Sequence, residues 1–185
     1  VLEILNNIDH SLFLTLNGLH TSFLDPVIYY GTRSLVWIPL YLLTLFVVIR
    51  EYKWRTIWIL VFVTLMILVS DQFSNLFKEW IARPRPTHEP GLSGVHTVYG
   101  YTGGMNGFYS AHASNTMAIA IFLIFLMKNK YKTLTIVLFL WALFMGYTRI
   151  YLGVHYPGDI MAGFIMGGLI GYGTYRLFIY SMTMR

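Results

Sequence analysis

Three short stretches gather polar chemistry inside an otherwise apolar chain: KEWIARPRP from Lys78 to Pro86, FYSAH from Phe108 to His112, and TRIYLGVHYPGD from Thr148 to Asp159. They supply the cations Lys78, Arg85 and Arg149, the hydroxyl of Ser110, the imidazoles of His112 and His155, and the carboxylate of Asp159. Ionisable groups are expensive near a bilayer and mark function by default when they recur there. This inventory suits phosphoryl transfer, in which catalysis is mostly positioning and neutralisation of charge on the phosphate oxygens. A phosphate monoester has a poor alkoxide leaving group, so one histidine is expected to donate a proton. The other is a nucleophile if a carboxylate fixes its tautomer.

The order within the third stretch predicts that pairing. Pro157 is favoured at the first helical position, with Gly158 and Asp159 following in the first turn. Asp159 is then placed to reach back to His155 and leave the other ring nitrogen free to attack phosphorus. Alone, Asp159 is an ordinary first-turn acid favoured by the helix dipole. A histidine four residues upstream and an arginine ten upstream favour the catalytic role. Lys78 is expected to close an apolar run, while Pro84 and Pro86 stop any helix there and hold Arg85 in extended chain. A proline-rich exit is also a plain stop signal. Ser110 is expected to offer its hydroxyl and the following N–H groups to phosphate at a helix start, where the ordinary role is an N-cap. Taken singly, His112 is more often structural than catalytic.

Long apolar elements must hold these groups. Of 185 residues, 56% are hydrophobic and 11% charged, far from the roughly 25% charged share of a soluble domain. The composition predicts an all-α polytopic membrane helix bundle forming a single domain, residues 1–185. Five runs read as transmembrane helices: Ser34 to Val48, Trp54 to Phe77, Ser114 to Met127, Thr133 to Tyr147, and Gly158 to Tyr180. The short ones are expected to borrow flanking residues such as Thr32 and Arg33, or Ala111 to Ala113. Ahead of them, Ile4, Ile8, Leu12, Leu16 and Leu19 recur at helical spacing among polar residues, which predicts an interfacial helix, with a sixth span as the alternative. The start carries Glu3 and Asp9 with no basic n-region, unlike a cleavable signal peptide. Cysteine is absent, which excludes disulfides, thiolate metal sites and a cysteine nucleophile.

The net charge of +5 reflects cations flanking apolar runs, so nucleic acid receives little weight as a partner. Arg50, Lys53 and Arg55, then Lys128, Lys130 and Lys132, then Arg176 and Arg185 mark cytoplasmic loops. The N-terminal segment, the Lys78 to Ala113 loop and the Thr148 to Pro157 turn then lie on the opposite face. Lys78, Arg83, Arg85 and Arg149 fall there against the positive-inside bias. Arg83 is read as snorkelling to headgroups. The others, together with His112, His155 and Asp159, are expected to form an anion pocket. The glycine- and tyrosine-rich stretch from Thr87 to Ser110 is read as either a lid or a headgroup-level connector, with His88 and His96 as polar surface residues.

Together the three stretches resemble the type 2 phosphatidic acid phosphatase family, whose pattern is Lys-x6-Arg-Pro, then Pro-Ser-Gly-His, then Ser-Arg-x5-His-x3-Asp. Lys78 through Arg85 and Pro86 match in full. Tyr109 and Ala111 replace the proline and glycine around Ser110 and His112, and Thr148 replaces the serine before Arg149. The added methyl at Ala111 makes close backbone approach to phosphate less favourable, and Tyr109 alters that turn. The resemblance implies that His155 forms a phosphohistidine, that Asp159 orients it, and that His112 protonates the leaving oxygen and then activates water. It implies Lys78, Arg85, Ser110 and Arg149 as binders of the phosphoryl group, with no metal and no cofactor. Expected substrates are lipid phosphates whose tails stay in the bilayer: polyprenyl diphosphate, lipid A, phosphatidylglycerol phosphate or phosphatidic acid. The expected location is the bacterial inner membrane, with the site on the extracytoplasmic face. A lipid phosphotransferase and a non-catalytic binder or transporter of anionic headgroups are the alternatives, and the spacing says nothing of oligomeric state.

Overall fold

The structure is a computed structural model that describes residues 2–127 and 130–183; two of the basic residues used for topology, Lys128 and Arg185, lie outside them. The apolar runs are helices, and most reach past the run that predicts them. In chain order they are α1 (Leu2–Asn17), α2 (Leu24–Gly31), α3 (Ile38–Tyr52), α4 (Thr56–Ile81), α5 (Ala111–Met127), α6 (Lys132–Tyr151) and α7 (Pro157–Thr183), with short 3-10 turns at Ser34–Trp37, Lys53–Arg55 and Pro86–His88. Among the described residues the sole β-type contact is an isolated antiparallel bridge between Pro84 and Asn106.

The extensions have local causes. Pro157 opens α7, as its fixed φ and missing N–H predict. Ser110 caps α5 by accepting the Ala113 N–H at 3.4 Å, so α5 borrows Ala111 to Ala113 as expected. Thr32 and Arg33 are not borrowed: Arg33 is extended, and a 3-10 turn precedes α3. Lys78 does not close α4, which runs one turn further and stops where Ala82 turns left-handed (φ 49°). Thr148 and Arg149 belong to the last turn of α6 rather than to the loop after it.

The run from Ser34 to Ile81, comprising α3 and α4, and α6 are each long and apolar enough to cross a bilayer. Side chains such as Leu42, Phe46, Leu65, Leu76, Ile165 and Leu169 project outward from α3, α4 and α7, as a lipid-facing belt requires. The interior is filled from five helices, with Val48, Ile59, Phe122, Trp141 and Phe178 in one cluster.

The closest helix contact joins α5 to α7. A methyl placed on Gly167 would collide with the backbone of Ser114, one on Gly171 with Ala118, and one on Gly163 would stand 2.7 Å from the Ser110 carbonyl oxygen. Three glycines four residues apart thus form a groove on α7 that admits the backbone of α5. Small-residue seams of this kind let membrane helices gain dispersion contacts that lipid cannot supply. Ser70 of α4 meets Ser114 at 2.8 Å, which ties α4 to the same seam.

Helix α1 is not part of the barrel of long helices. It presents Ile4, Leu5, Ile8 and Leu12 outward and buries Phe13 and Asn17, the pattern of a helix lying along the bundle end. The Asn17 amide nitrogen stands 3.0 Å from the Ile150 carbonyl oxygen, which also accepts the Gly153 N–H, and 2.9 Å from that of Tyr151 at the end of α6, where helix carbonyls lack intrahelical donors. Replacing Gly167 with valine should lower the thermal midpoint in detergent, by an overpacking cost of about 1–3 kcal/mol or more. Gly168→Ala, one residue along with no atom near its missing methyl, should leave the midpoint unchanged or raise it.

Candidate active site

The turn between α6 and α7 carries a buried histidine–carboxylate pair. Gly153, at φ 76°, reverses the chain, and the Val154 N–H returns to the Arg149 carbonyl at 3.0 Å. Asp159 is fully buried. Its Oδ2 accepts the Tyr156 N–H at 3.1 Å and faces His155 Nδ1 at 3.4 Å. That second distance is at the outer edge of a hydrogen bond, and such contacts tighten when substrate binds. With Nδ1 directed at the carboxylate, Nε2 is the nitrogen left free. Burial pushes the His155 pKa down, Asp159 pulls it up, and Arg85 and Arg149 push it down again, leaving it at about 4. The ring is neutral at pH 7, as a nitrogen nucleophile must be.

Cations surround this pair. Arg149 is almost wholly buried; its Nε lies 3.3 Å from the Thr148 hydroxyl, and its Nη2 is buried with no protein partner. An orphaned guanidinium donor in such a place calls for an anion. Arg85 is extended between its prolines. Its N–H donates to the Met105 carbonyl at 2.9 Å and its Nε to that of Asn106 at 3.2 Å. The loop lies so close that a methyl on Gly103 would strike the guanidinium. His112, in the first turn of α5, is within electrostatic reach of Arg149, His155, Arg85 and Lys78. Ser110 is fully buried, and its own N–H donates to the Asp159 carbonyl at 3.2 Å. Its hydroxyl accepts from Ala113 as a cap and keeps its proton for a further acceptor. The three stretches therefore converge, and all seven predicted residues lie around one point.

His112 also stands on the wall of a cavity of about 510 Å³, with Asn115, Thr116, Ile119 and Leu123 of α5 and Val63 and Ile67 of α4. Of the seven predicted residues His112 alone lines it, and the rest of the wall is mostly apolar side chains of α3 to α6. No trio of histidine or acidic side chains among the described residues is arranged to hold a metal ion.

Three details differ from expectation. Arg83 does not snorkel: it donates from Nη1 to Asp159 Oδ1 at 2.9 Å and from Nη2 to Asp9 Oδ2 at 2.8 Å. Sequence reasoning missed both Arg83 and Asp9. A signal was present, because Pro84 and Pro86 each favour extended chain before them and side chains two apart share one face of such chain. His96 is not a surface residue: it pairs with Asp25 at 2.9 Å and stacks on His20 with ring centroids 3.7 Å apart. His88 is half-buried, its Nδ1 3.1 Å from the Thr87 hydroxyl. The Thr87 to Ser110 stretch runs against the site at Gly103 and Gly107. It folds back over the pair, where a methyl on Gly107 would stand 3.0 Å from Asp159 Oδ2 and 3.6 Å from His155 Nδ1.

A bundle of apolar helices that closes over a buried imidazole–carboxylate pair and an arginine with one unpartnered nitrogen defines a membrane protein suited to a phosphate-like anion. Residues 55–183 match the PAP2 superfamily model, and the chain belongs to that superfamily. It is 38% identical to the lipid A 4'-phosphatase of Bacteroides thetaiotaomicron, across all of this chain and 83% of that protein. It is 36% identical to the lipid A 4'-phosphatase of Porphyromonas gingivalis, across 98% of this chain and 78% of that protein. Its fold matches the crystal structure of the transmembrane PAP2-type phosphatidylglycerolphosphate phosphatase from Bacillus subtilis, with TM-score 0.71 and 19% identity over 94% of this chain and 86% of the other. It also matches that of Aquifex aeolicus LpxE, with TM-score 0.70 and 24% identity over 90% and 93%. The bundle is thus that of a transmembrane PAP2 protein.

The depressed pKa of His155 has a consequence for stability. As pH falls from about 6.5 to about 4, the unfolded chain takes up a proton that the folded chain refuses. The contribution of neutral His155 is complete above that window and lost through it. Thermal unfolding in detergent should fall more steeply with acid over this range in the wild type than in His155→Gln.

Proposed function

We propose that the chain is a lipid phosphatase working through a phosphohistidine, with lipid A as the leading substrate class. The observation that carries this reading is the buried His155, backed by Asp159 and within electrostatic reach of Arg149, whose Nη2 has no partner, and of His112, which also lines an apolar cavity. Lys78, Arg85, Arg149, the Ser110 hydroxyl and the start of α5 hold the phosphoryl oxygens, where helix-end N–H groups and cations favour anions. His155 Nε2 attacks phosphorus as His112 gives its proton to the departing lipid oxygen. His112 then takes a proton from water, whose oxygen attacks the phosphohistidine; the N–P bond breaks, and His155 and inorganic phosphate are released. Asp159 keeps the Nδ1 proton in place while the ring carries positive charge.

The cavity gives the lipid tail an apolar bed beside the reacting phosphate. Lipid A leads among the substrates because the two relatives covering nearly all of this chain bear that name, whereas phosphatidylglycerophosphatase B of Bacillus subtilis aligns with 57% of the chain, at 35% identity. Helices α3 to α7 are read as five spans of the bacterial inner membrane, with α1 on its surface and the site on the extracytoplasmic face.

Phosphate release in detergent from lipid A, phosphatidylglycerol phosphate, phosphatidic acid and polyprenyl diphosphate tests the assignment. The wild type should be fastest on lipid A and indifferent to EDTA, and His155→Ala should lose about 10⁴-fold or more in kcat. Activity retained in that variant would overturn the assignment. Filling the cavity with Ile119→Trp should raise KM for long-chain lipid about tenfold or more while leaving a short water-soluble phosphate ester almost unaffected; equal effects on both would remove the tail from this cavity.

A further inference from the structure

Arg83 joins three elements that the sequence keeps far apart. Its Nη1 holds Asp159 Oδ1 at 2.9 Å, and its Nη2 holds Asp9 Oδ2 at 2.8 Å and Asn6 Oδ1 at 3.1 Å. The guanidinium lies 4.1 Å over the Tyr156 ring, and His10 stacks on the same ring at 4.7 Å. Asp9 spends its other oxygen on the Gly158 N–H at 2.8 Å, one of the open donors at the start of α7. Asn6, Asp9, His10, Phe13 and Asn17 follow helical spacing, so one face of α1 meets the catalytic turn while Ile4, Leu5, Ile8 and Leu12 face outward.

We propose that Arg83 is a positioning residue for the His155–Asp159 pair, and that α1 holds it there through Asp9, making the N-terminal helix a working part of the site. The role assigned to His155 rests on the phosphatase reading above. Asp159 has two oxygens with separate duties. Oδ2 faces His155 Nδ1 and the Tyr156 N–H, while Oδ1 would be free to rotate into that place but for Arg83. A carboxylate gripped on one oxygen presents the other in a fixed direction, and that direction selects the Nδ1–H tautomer and leaves Nε2 bare. The two-pronged planar guanidinium reaches a carboxylate on each side, which the point charge of a lysine does not reproduce. Asp9 in turn anchors the far prong, so a change on α1 is transmitted to the ring of His155 without touching phosphate.

The test uses the full chain in detergent with Arg83→Ala, Arg83→Lys and Asp9→Asn, assayed on whichever lipid the wild type hydrolyses best. Arg83→Ala should lower kcat about 100-fold with KM changed less than about threefold. Arg83→Lys should recover part of that loss. Asp9→Asn should cost about tenfold alone and little more when added to Arg83→Ala, because both act through one chain of contacts. Nitrogen-15 spectra of histidine-labelled protein report the tautomer of His155 with no substrate present. The wild type should show the Nδ1–H form, and Arg83→Ala and Asp9→Asn should show a mixture. Unchanged kcat with raised KM would place Arg83 on the phosphate, and an unchanged tautomer with loss confined to the thermal midpoint would make it a fold residue; either overturns the proposal. If Arg83→Ala does not fold, Asp9→Asn decides by the same spectra. A wild type that releases phosphate from no lipid overturns the proposed function instead, and the tautomer spectra still decide the role of Arg83.

Discussion

Where α7 meets α5 there is no space for a side chain, and the placement of the site follows from that contact. Gly163, Gly167 and Gly171 let the backbones at Ser110, Ser114 and Ala118 approach to atomic contact. Lipid tails are as apolar as leucine, so between membrane helices it is close packing and matched polar atoms that hold position. The seam ends just below the chemistry: α5 begins beside Ser110 and His112, α7 begins beside His155 and Asp159, and the Ser110 N–H bonds to the Asp159 carbonyl. Two helix starts that could slide along one another are thereby locked at one height. Small serines extend the principle to α4, where Ser74 donates to the Tyr109 carbonyl at 3.0 Å.

Helix ends make the second constraint. The turn from Leu152 to Tyr156 leaves acceptors open on α6 and donors open on α7, in a region where water has limited access. Helix α1 supplies both, with Asn17 at the end of α6 and Asp9 at the start of α7. A buried amide and a half-buried carboxylate on one helix face thus close off the turn between α6 and α7. The second polar cluster, in which Asp25 accepts from Tyr151 at 2.8 Å and meets His96, fastens the folded-back loop to α2 and α6 in the same region.

Much of this was legible in the sequence where the cause is local. Apolar length marks the long helices, Pro157 marks the start of α7, the two prolines mark extended Arg85, and the four-residue step from His155 to Asp159 marks the pair. Helix ends were harder to place, because the last turns of α4 and α6 carry Lys78 and Arg149 and end the hydrophobic signal before the hydrogen bonding ends. The misreadings share another cause. Arg83 finds Asp9 across 74 positions and His96 finds Asp25 across 71, and no periodicity encodes a partner at that distance. The glycine seam was written plainly as Gly-x3-Gly-x3-Gly in α7, but its meaning depends on which helix lies opposite.

The cavity under His112 has a physical implication of its own. Tyr41 and Leu60 both line it and are exposed, so with α3 and α4 spanning the bilayer as proposed, one wall would be shared with the hydrocarbon rather than with water. A lipid using it would then arrive sideways, by diffusion in two dimensions, and its occupancy would follow mole fraction in the leaflet rather than molarity. Dilution of the membrane with inert lipid would then act as dilution of the ligand, while dilution of the aqueous phase would change nothing.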